Sequence, residues 1–405
     1  MRWPDESTLI TVRRDLHAHP ELSHQENRTA GVVAERLRAL GLAPREKVAG
    51  HGLYADIEGA LPGPHLLLRA DMDALPIQEV SGRPYGSRTP GVMHACGHDV
   101  HTTIALGVAE SLVSARSQLA GRVRVLFQPA EEAAPPPGEV IGAERMVQEG
   151  ALAGPDVDAA FAFHVMPTLE VGVVAGTGGA VWASSDVFSI EVEGWMSHGA
   201  YPHEGRDAIL ASSQIVLALQ HLVSRQVDPR DAAVVSVCEF LGGNSTNILP
   251  ANVRMRGLVR ALRESTRRML VERVDEVVEG VARAYGCRAK VTWVRGAHLT
   301  SNAPTLERTA LEAVARAGIP VRQGHEPQLG AEDFAAFSRR VPSAYLFLGT
   351  RNEERGITSP LHTPRFDVDE ACLLVGVRAM TAALLHVAST WSSAREPYAL
   401  GVSPA

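Results

Sequence analysis

Between Gly91 and Thr103 the chain reads GVMHACGHDVHTT. Three histidines, one cysteine and one aspartate crowd into the eight positions from His94 to His101. Three readings suit such a cluster. Cys96 can be a nucleophile if a histidine base and a group that orients it lie nearby in space. Cys96 and His98, separated by a single glycine, can instead turn their side chains onto one metal ion. The cluster can also be the polar start of a helix with no chemistry at all.

Donors elsewhere in the chain weigh on this choice. The apolar run HLLLRADMDALP ends in Asp71 and Asp73, GRVRVLFQPAEE ends in Glu131 and Glu132, and DAAFAFHVMP reads as a strand ending in His164. His362 follows in SPLHTPRFDVDE, a loop before the last helix. In open α/β sheets, sites collect beyond the carboxyl ends of the strands and at helix starts. More carboxylates gather there than a cysteine–histidine pair needs. A mixed set of thiolate, imidazole and carboxylate suits zinc and its transition-metal neighbours better than magnesium or calcium. The adjacent glutamates sharpen the metal reading. With one of them on the metal, the other can act as general base. A bound divalent ion polarises a carbonyl and brings the pKa of water down toward ~7. That chemistry is metal-assisted amide hydrolysis.

The elements that must carry these donors are legible in outline. ENRTAGVVAERLRALGL spaces Ala30, Val33, Leu37 and Leu40 as one helix face and stops at Gly41. DVHTTIALGVAESLV reads as a helix that begins just after the cluster. Strands alternating with helices indicate an α/β sheet. From Ser184 the texture changes: SSDVFSIEVEG, AAVVSVCEFLGG, NVRMRGLVRAL and CRAKVTWVRG read as strands, with helices AILASSQIVLALQHLVS and STRRMLVERVDEVVEGVARAYG among them. These form an inserted α+β sandwich over 184–298, leaving 1–183 and 299–405 as a discontinuous catalytic domain. EEAAPPPGE, 131–139, reads as a stiff proline loop.

Composition narrows the class. The 405 residues are 45% hydrophobic and 21% charged with net charge −7, which is an ordinary globular composition without the basic footprint of a nucleic-acid binder. The four cysteines, Cys96, Cys238, Cys287 and Cys372, form no CxxC pair, so reduced thiols are expected. The N-terminus lacks the basic start and apolar run of a secretory signal, and no apolar run approaches 18 residues. A cytoplasmic protein with no membrane association is expected.

LRADMDALPIQE, GVMHACGHDVHT, FQPAEE, FHVMP, LGAEDFAAF and LHTPRFDVDE stand in the order and spacing of the M20 metallopeptidase/amidohydrolase family. The resemblance extends from about residue 10 to 390 and is to the branch of hippurate hydrolases, N-acyl-amino-acid amidohydrolases and indole-acetyl-amino-acid hydrolases. It implies a mixed-sheet catalytic domain of the zinc-exopeptidase type with an inserted two-layer lid and dimerisation domain. It also implies two divalent transition-metal ions, drawn from zinc, manganese, nickel or cobalt. On that resemblance Cys96, His98, Glu132, His164 and His362 are the ligands, with Cys96 standing where other branches have a bridging carboxylate. Glu131 matches the general base, and Asp73 the aspartate that orients a ligand histidine. His94, His101 and Asp71 hold motif positions to which no chemistry is assigned.

SHGAYPH resembles the lid motif whose first histidine, His198 here, meets the substrate carbonyl and in related dimers reaches the neighbouring subunit's site. GGNSTNILPANVRMRGLVRAL resembles the segment supplying Asn247 and Arg260 to the substrate carboxylate. The family's G-K-G-G-H loop is replaced by Gly194, Trp195, Met196, Ser197 and His198. The two bulky apolar residues stiffen the loop, line an acyl pocket, or belong to the lid core.

The expected activity is hydrolysis of N-acyl amino acids (acetyl, benzoyl, indole-acetyl or longer acyl) by a homodimer or higher oligomer built through the lid. The alternatives are a dipeptidase or carboxypeptidase with the same centre, a non-catalytic acyl-amino-acid sensor, and a cysteine hydrolase using Cys96. The presence of Glu131 argues against the sensor, since a pure binder needs no base.

Overall fold

The computed structural model describes residues 1–133, 140 and 142–391. From residue 134 on, the expected proline loop lies outside the described residues. The chain forms two compact units. One comprises residues 1–179, 301–326 and those from 333 on; the other comprises 180–300 and 327–332.

The first unit begins with helices α1 (Glu6–Ala18) and α2 (Asn27–Ala39) and strands β1 (Arg45–Val48), β2 (Gly52–Glu58) and β3 (Leu61–Asp71). Helix α3 (His98–Ser114), strand β4 (Ala120–Gln128), the short helix α4 (Gly142–Gln148) and strands β5 (Ala159–Glu170) and β6 (Val174–Gly176) follow. Asp5 caps α1 by accepting from the Thr8 amide, and Gly41 follows α2 with φ +75°.

The second unit contains β7 (Ala180–Trp182), β8 (Ser184–Glu193), β9 (Ser197–His198), α5 (Ala208–His221), β10 (Ala233–Gly242), β11 (Ile248–Leu249), β12 (Asn252–Ala261), α6 (Glu264–Ala284) and β13 (Arg288–Arg295). Its four-stranded sheet runs β10-β12-β8-β13, antiparallel throughout. Phe188, Ile190, Met255 and Val259 from the sheet and Ile215, Leu270, Val274 and Val278 from the helices share one core. The strands alternate as expected for a sheet with one face covered: Val253, Met255 and Gly257 are buried, whereas Asn252, Arg254 and Arg256 are exposed.

The chain continues through β14 (Thr300–Ser301), α7 (Pro304–Arg316), β15 (Val321–Gln323), α8 (Ala335–Ser338), β16 (Ser343–Arg351) and α9 (Ala371–Thr390). The first unit's sheet has eight strands in the order β1-β2-β4-β3-β5-β16-β6-β15. It is mixed: β4, β3, β5 and β16 are parallel neighbours, while β1, β2 and β6 bring antiparallel pairs. The central strands are buried along most of their length, with β16 buried from Ser343 to Thr350, as a parallel sheet covered by helices requires.

Two expectations need correction. β5 does not end at His164 but runs on to Glu170, because β16 stays paired with it from Ala160 to Met166 and again at Glu170. What ends nearby is its other neighbour, since β3 pairs with β5 only as far as Phe161. Also, α9 is long and apolar enough to cross a membrane by length and composition. Its alanines, threonines and single Arg378 break up the run of large apolar letters without making the average polar. Of its most apolar window, 61% is buried inside the protein, and it packs against α3 and α7, as a core helix does.

Candidate metal centre

The donors converge because β4, β3 and β5 lie side by side in the eight-stranded sheet, and the segments beyond β3 and β4, the turn before α3 and the loop before α9 bring their donors to His164 of β5. Asp71 closes β3, and Asp73 follows two residues later. Cys96 and His98 flank Gly97, which adopts φ +87° immediately before α3. That conformation is easy only for glycine, and a Cβ there would come within 2.4 Å of Val165 Cγ2. Glu131 and Glu132 lie just beyond β4, after Ala130, which has φ +53°. His362 also has a positive φ, +58°, and its amide donates to Ala95 O at 2.8 Å. Non-glycine residues in this region carry a local strain that the surroundings must offset.

Cys96 Sγ is at the centre of the set, 3.3 Å from His164 Nε2 and 3.3 Å from His362 Nε2. His362 Nε2 is 3.2 Å from Glu132 Oε1, and His98 Nε2 is 3.9 Å from the same oxygen. Two groups therefore share Cys96: Cys96 with His98 and His164, and Cys96 with Glu132 and His362. Within each group the ligand atoms all lie within 4.8 Å of one another. Glu131 joins His98 and Glu132 in a further group of that size. All five ligands expected from the sequence, together with Glu131, are thus in one place.

The ring orientations follow from hydrogen bonds on the far side of each imidazole. His98 Nδ1 donates to Asp73 Oδ1 (3.2 Å), and His164 Nδ1 donates to the carbonyl of Val165 (2.7 Å). With the proton on Nδ1, each Nε2 offers its lone pair to the cluster. His98 Nε2 is buried without a hydrogen-bond partner, and the buried Glu132 Oε1 lies between it and His362 Nε2. A buried carboxylate oxygen between two imidazoles and a thiol is costly without positive charge beside it, which a metal ion or a protonated imidazole supplies. The residues fit a divalent cation.

Electrostatics agree. Burial, with Glu132, Glu131 and Asp71 nearby, pushes the Cys96 thiol well above its ordinary value, so the thiolate needs a cation to form. Burial alone would depress His98, yet Asp71, Asp73 and Glu132 raise it to about 10. The pocket is strongly electronegative and draws positive charge. Burial lowers His94 to about 4, and neither of its ring nitrogens has a partner.

The residues expected in the lid all lie in the second unit. His198 in β9 pairs with Ile248 of β11, which brings its neighbour Asn247 alongside: Gly199 N–H donates to Asn247 O at 2.8 Å. His198 Nδ1 accepts from Ala200 N–H at 3.0 Å, so the neutral ring carries its proton on Nε2 and can donate from there. Arg260 is not with them. It sits near the opposite end of β12, facing Ser185 and Val234. Eight residues of strand separate it from Asn252, or about 26 Å. Its Nη1 is buried without a partner. Trp195 and Met196 are exposed, at 69% and 58%, which removes the option that they belong to the lid core.

Two functional positions gave no signal in the sequence. Ser23 Oγ donates to Asp73 Oδ2 at 2.6 Å, an oxygen that also accepts the Glu132 amide at 3.0 Å. Buried Glu26 accepts from Ala130 N–H at 2.8 Å and His24 N–H at 3.0 Å. Together these residues hold the turn that presents Glu131 and Glu132. All four cysteines are free thiols.

The model of peptidase family M20/M25/M40 matches residues 67–386. The chain belongs to this family. An M20 peptidase of Bacillus subtilis, described as dinuclear metal-binding, superposes with a TM-score of 0.83 at 35% identity over 95% of this chain and 98% of that one. An N-acetyl-L-cysteine deacetylase of Bacillus subtilis is 37% identical over 369 residues, 91% of this chain and 85% of the relative. Thermostable carboxypeptidase 2 of Saccharolobus solfataricus is 38% identical over 384 residues, 94% and 95% of the two chains. An IAA-amino acid hydrolase of Arabidopsis thaliana is 35% identical over 374 residues, 91% and 83%. The protein is therefore a metal-dependent M20 hydrolase of the peptidase and amidohydrolase type.

Proposed function

We propose that this M20 hydrolase cleaves the amide bond of N-acyl amino acids, releasing a carboxylic acid and a free amino acid, with two divalent transition-metal ions. The observation that carries this reading is the pair of donor groups sharing Cys96, with Glu131 beside them. Those donors would hold divalent ions, which would supply polarisation of the scissile carbonyl and acidification of water.

The chain's own residues supply the rest. Cys96, His98, Glu132, His164 and His362 hold the ions, and Asp73 fixes the ring of His98. Glu131 takes the proton of the attacking water and returns it to the departing nitrogen. His198 donates from Nε2 to the developing oxyanion, and Asn247 and Arg260 take the substrate carboxylate. Within a single second unit, Asn247 and Arg260 are too far apart to grip one carboxylate. Their joint use therefore supports a homodimer in which each site draws on both copies, with 184–298 as lid and dimerisation domain and 1–183 with 299–405 as catalytic domain. We place the enzyme in the cytoplasm, where an unpaired thiolate ligand stays reduced.

The test is metal content on purified protein, with hydrolysis of acetyl-, benzoyl-, indole-acetyl- and long-acyl-amino acids before and after chelation. About two ions per chain and chelation-sensitive hydrolysis are expected. Full activity in metal-free protein, abolished by thiol alkylation, would instead select the cysteine hydrolase. A second reading, carboxypeptidase action on peptides, is favoured by the carboxypeptidase relative. Dipeptides with a free α-amino group, run beside their N-acyl counterparts, separate the two.

A further inference from the structure

His101 and Asp71 belong to the sequence motifs, yet neither is among the expected ligands nor part of the mechanism above. Both are fully buried. His101 sits one helical turn into α3, and its ring lies 4.7 Å from that of His164, centroid to centroid. Its hydrogen bonds run in a definite direction. Val165 N–H donates to His101 Nε2 at 3.0 Å. A backbone N–H can only donate, so Nε2 bears a lone pair and the ring proton is on Nδ1. That proton goes to Asp71 Oδ1 at 2.6 Å. Asp71 is anchored in turn, because Oδ2 accepts from Arg69 Nη1 at 2.6 Å. Arg69 donates onward to Gln128 Oε1 at 2.9 Å and to Asp333 Oδ1 at 2.9 Å.

The sheet explains why an imidazole is needed here. β3 accompanies β5 only as far as Phe161, so beyond that residue the β3 side of β5 has no strand partner. Val165 N–H falls in this stretch, buried, and an unmet backbone donor there would be costly. His101 supplies the acceptor. The peptide it grips joins His164 to Val165, and the next carbonyl, Val165 O, accepts from His164 Nδ1. One residue thus fixes the backbone from which the His164 ring hangs and the acceptor that sets its tautomer.

We propose that His101, held by Asp71 and Arg69, is a positioning residue that locks the 164–165 peptide so that His164 presents Nε2 to the metal centre. The proposal rests on the metal reading of Cys96, His98 and His164. It requires His101 to be a neutral Nδ1–H tautomer and a hydrogen-bond acceptor for the backbone, not a ligand. Carboxylate and backbone partners of ligand histidines elsewhere are worth about 10- to 100-fold in metal affinity, and the same range is expected one step further out.

The experiment uses the zinc-loaded full chain, labelled with nitrogen-15. A through-hydrogen-bond coupling between the Val165 amide nitrogen and His101 Nε2, with Nδ1 protonated, is expected; a protonated Nε2 or an absent coupling overturns the proposal. Metal affinity is then measured by chelator competition. His101→Leu is expected to weaken one of the two ions about 10- to 100-fold. His101→Gln, whose amide oxygen can accept from Val165 N–H, is expected to restore most of that loss. Equal affinities in the parent and the leucine variant overturn the proposal while leaving the metal reading intact. A parent that binds no ion overturns both. Should the leucine variant fail to fold, His101→Phe, which keeps a ring but offers Val165 N–H no acceptor, takes its place in the same comparison.

Discussion

His98 donates from Nδ1 to Oδ1 of Asp73 across 3.2 Å, and both side chains are fully buried. The other oxygen of the same carboxylate takes the amide of Glu132 and the hydroxyl of Ser23. Asp73 therefore orients one expected ligand through its side chain and another through its backbone. Asp73→Ala is expected to lower metal affinity about 10- to 100-fold, read by chelator competition. Ser23→Ala, which removes only one of the three bonds, should have a much smaller effect.

Glu131 belongs to a group with His98 and Glu132 but is dispensable as a ligand if Glu132 binds. Glu131→Gln should leave metal content and KM close to the parent while kcat falls about 10²- to 10⁴-fold. Steady-state kinetics on the best N-acyl substrate, with metal analysis of the same preparation, check this. A variant that turns over like the parent would remove Glu131 from the base role.

Gly97→Ala meets two obstacles at once, a backbone at φ +87° and a Cβ 2.4 Å from Val165 Cγ2. The left-handed conformation alone costs about 1–3 kcal/mol for a residue with a side chain. Because Cys96 and His98 flank this position, metal affinity should fall together with Tm. Calorimetry with and without added zinc distinguishes the two losses.

Much of this site was legible because its chemistry is local. Cys96, Gly97 and His98 are adjacent, and Glu131 and Glu132 follow a run, GRVRVLFQ, that reads as a strand. The expectation failed where the answer depended on a neighbour. Nothing in DAAFAFHVMP says that β16 pairs on past His164 while β3 stops at Phe161. That asymmetry is also what gives His101 its task. Glu26 was invisible for a similar reason, since the amide it serves is 104 residues away. The separation of Arg260 from Asn247 required knowing that β11, beside Asn247, pairs with β9 while Arg260 pairs near the far end of β12.

Glu26 provides a pH test. Burial, reinforced by the charge of Asp73, raises its carboxyl from 4.5 to about 7. A carboxyl whose folded pKa is raised binds its proton more tightly in the native state. Its favourable contribution is present at low pH, and stability falls as pH rises from about 4.5 to 7. Glu26→Gln keeps an acceptor for the Ala130 and His24 amides without the titration. In metal-free protein the variant should match the parent near pH 4 and exceed it at pH 8. The gain is at most about 3 kcal/mol, since one pKa unit corresponds to about 1.4 kcal/mol. Denaturant midpoints at the two pH values measure it, and a constant difference between the proteins would assign Glu26 no titration in this range.

The separation of Asn247 from Arg260 leads to a complementation experiment. Each substitution to alanine should depress activity by weakening the hold on the substrate carboxylate. If each site takes Arg260 from one copy and Asn247 from the other, a mixed dimer of the two variants has one site with both residues intact and one with neither. Refolding an equimolar mixture forms mixed dimers half of the time, so about a quarter of the parent activity should return. If each chain uses its own two residues, every site carries one substitution and mixing restores nothing. Size-exclusion chromatography of the mixture verifies that dimers re-form, so a negative result bears on the sharing of residues and not on assembly.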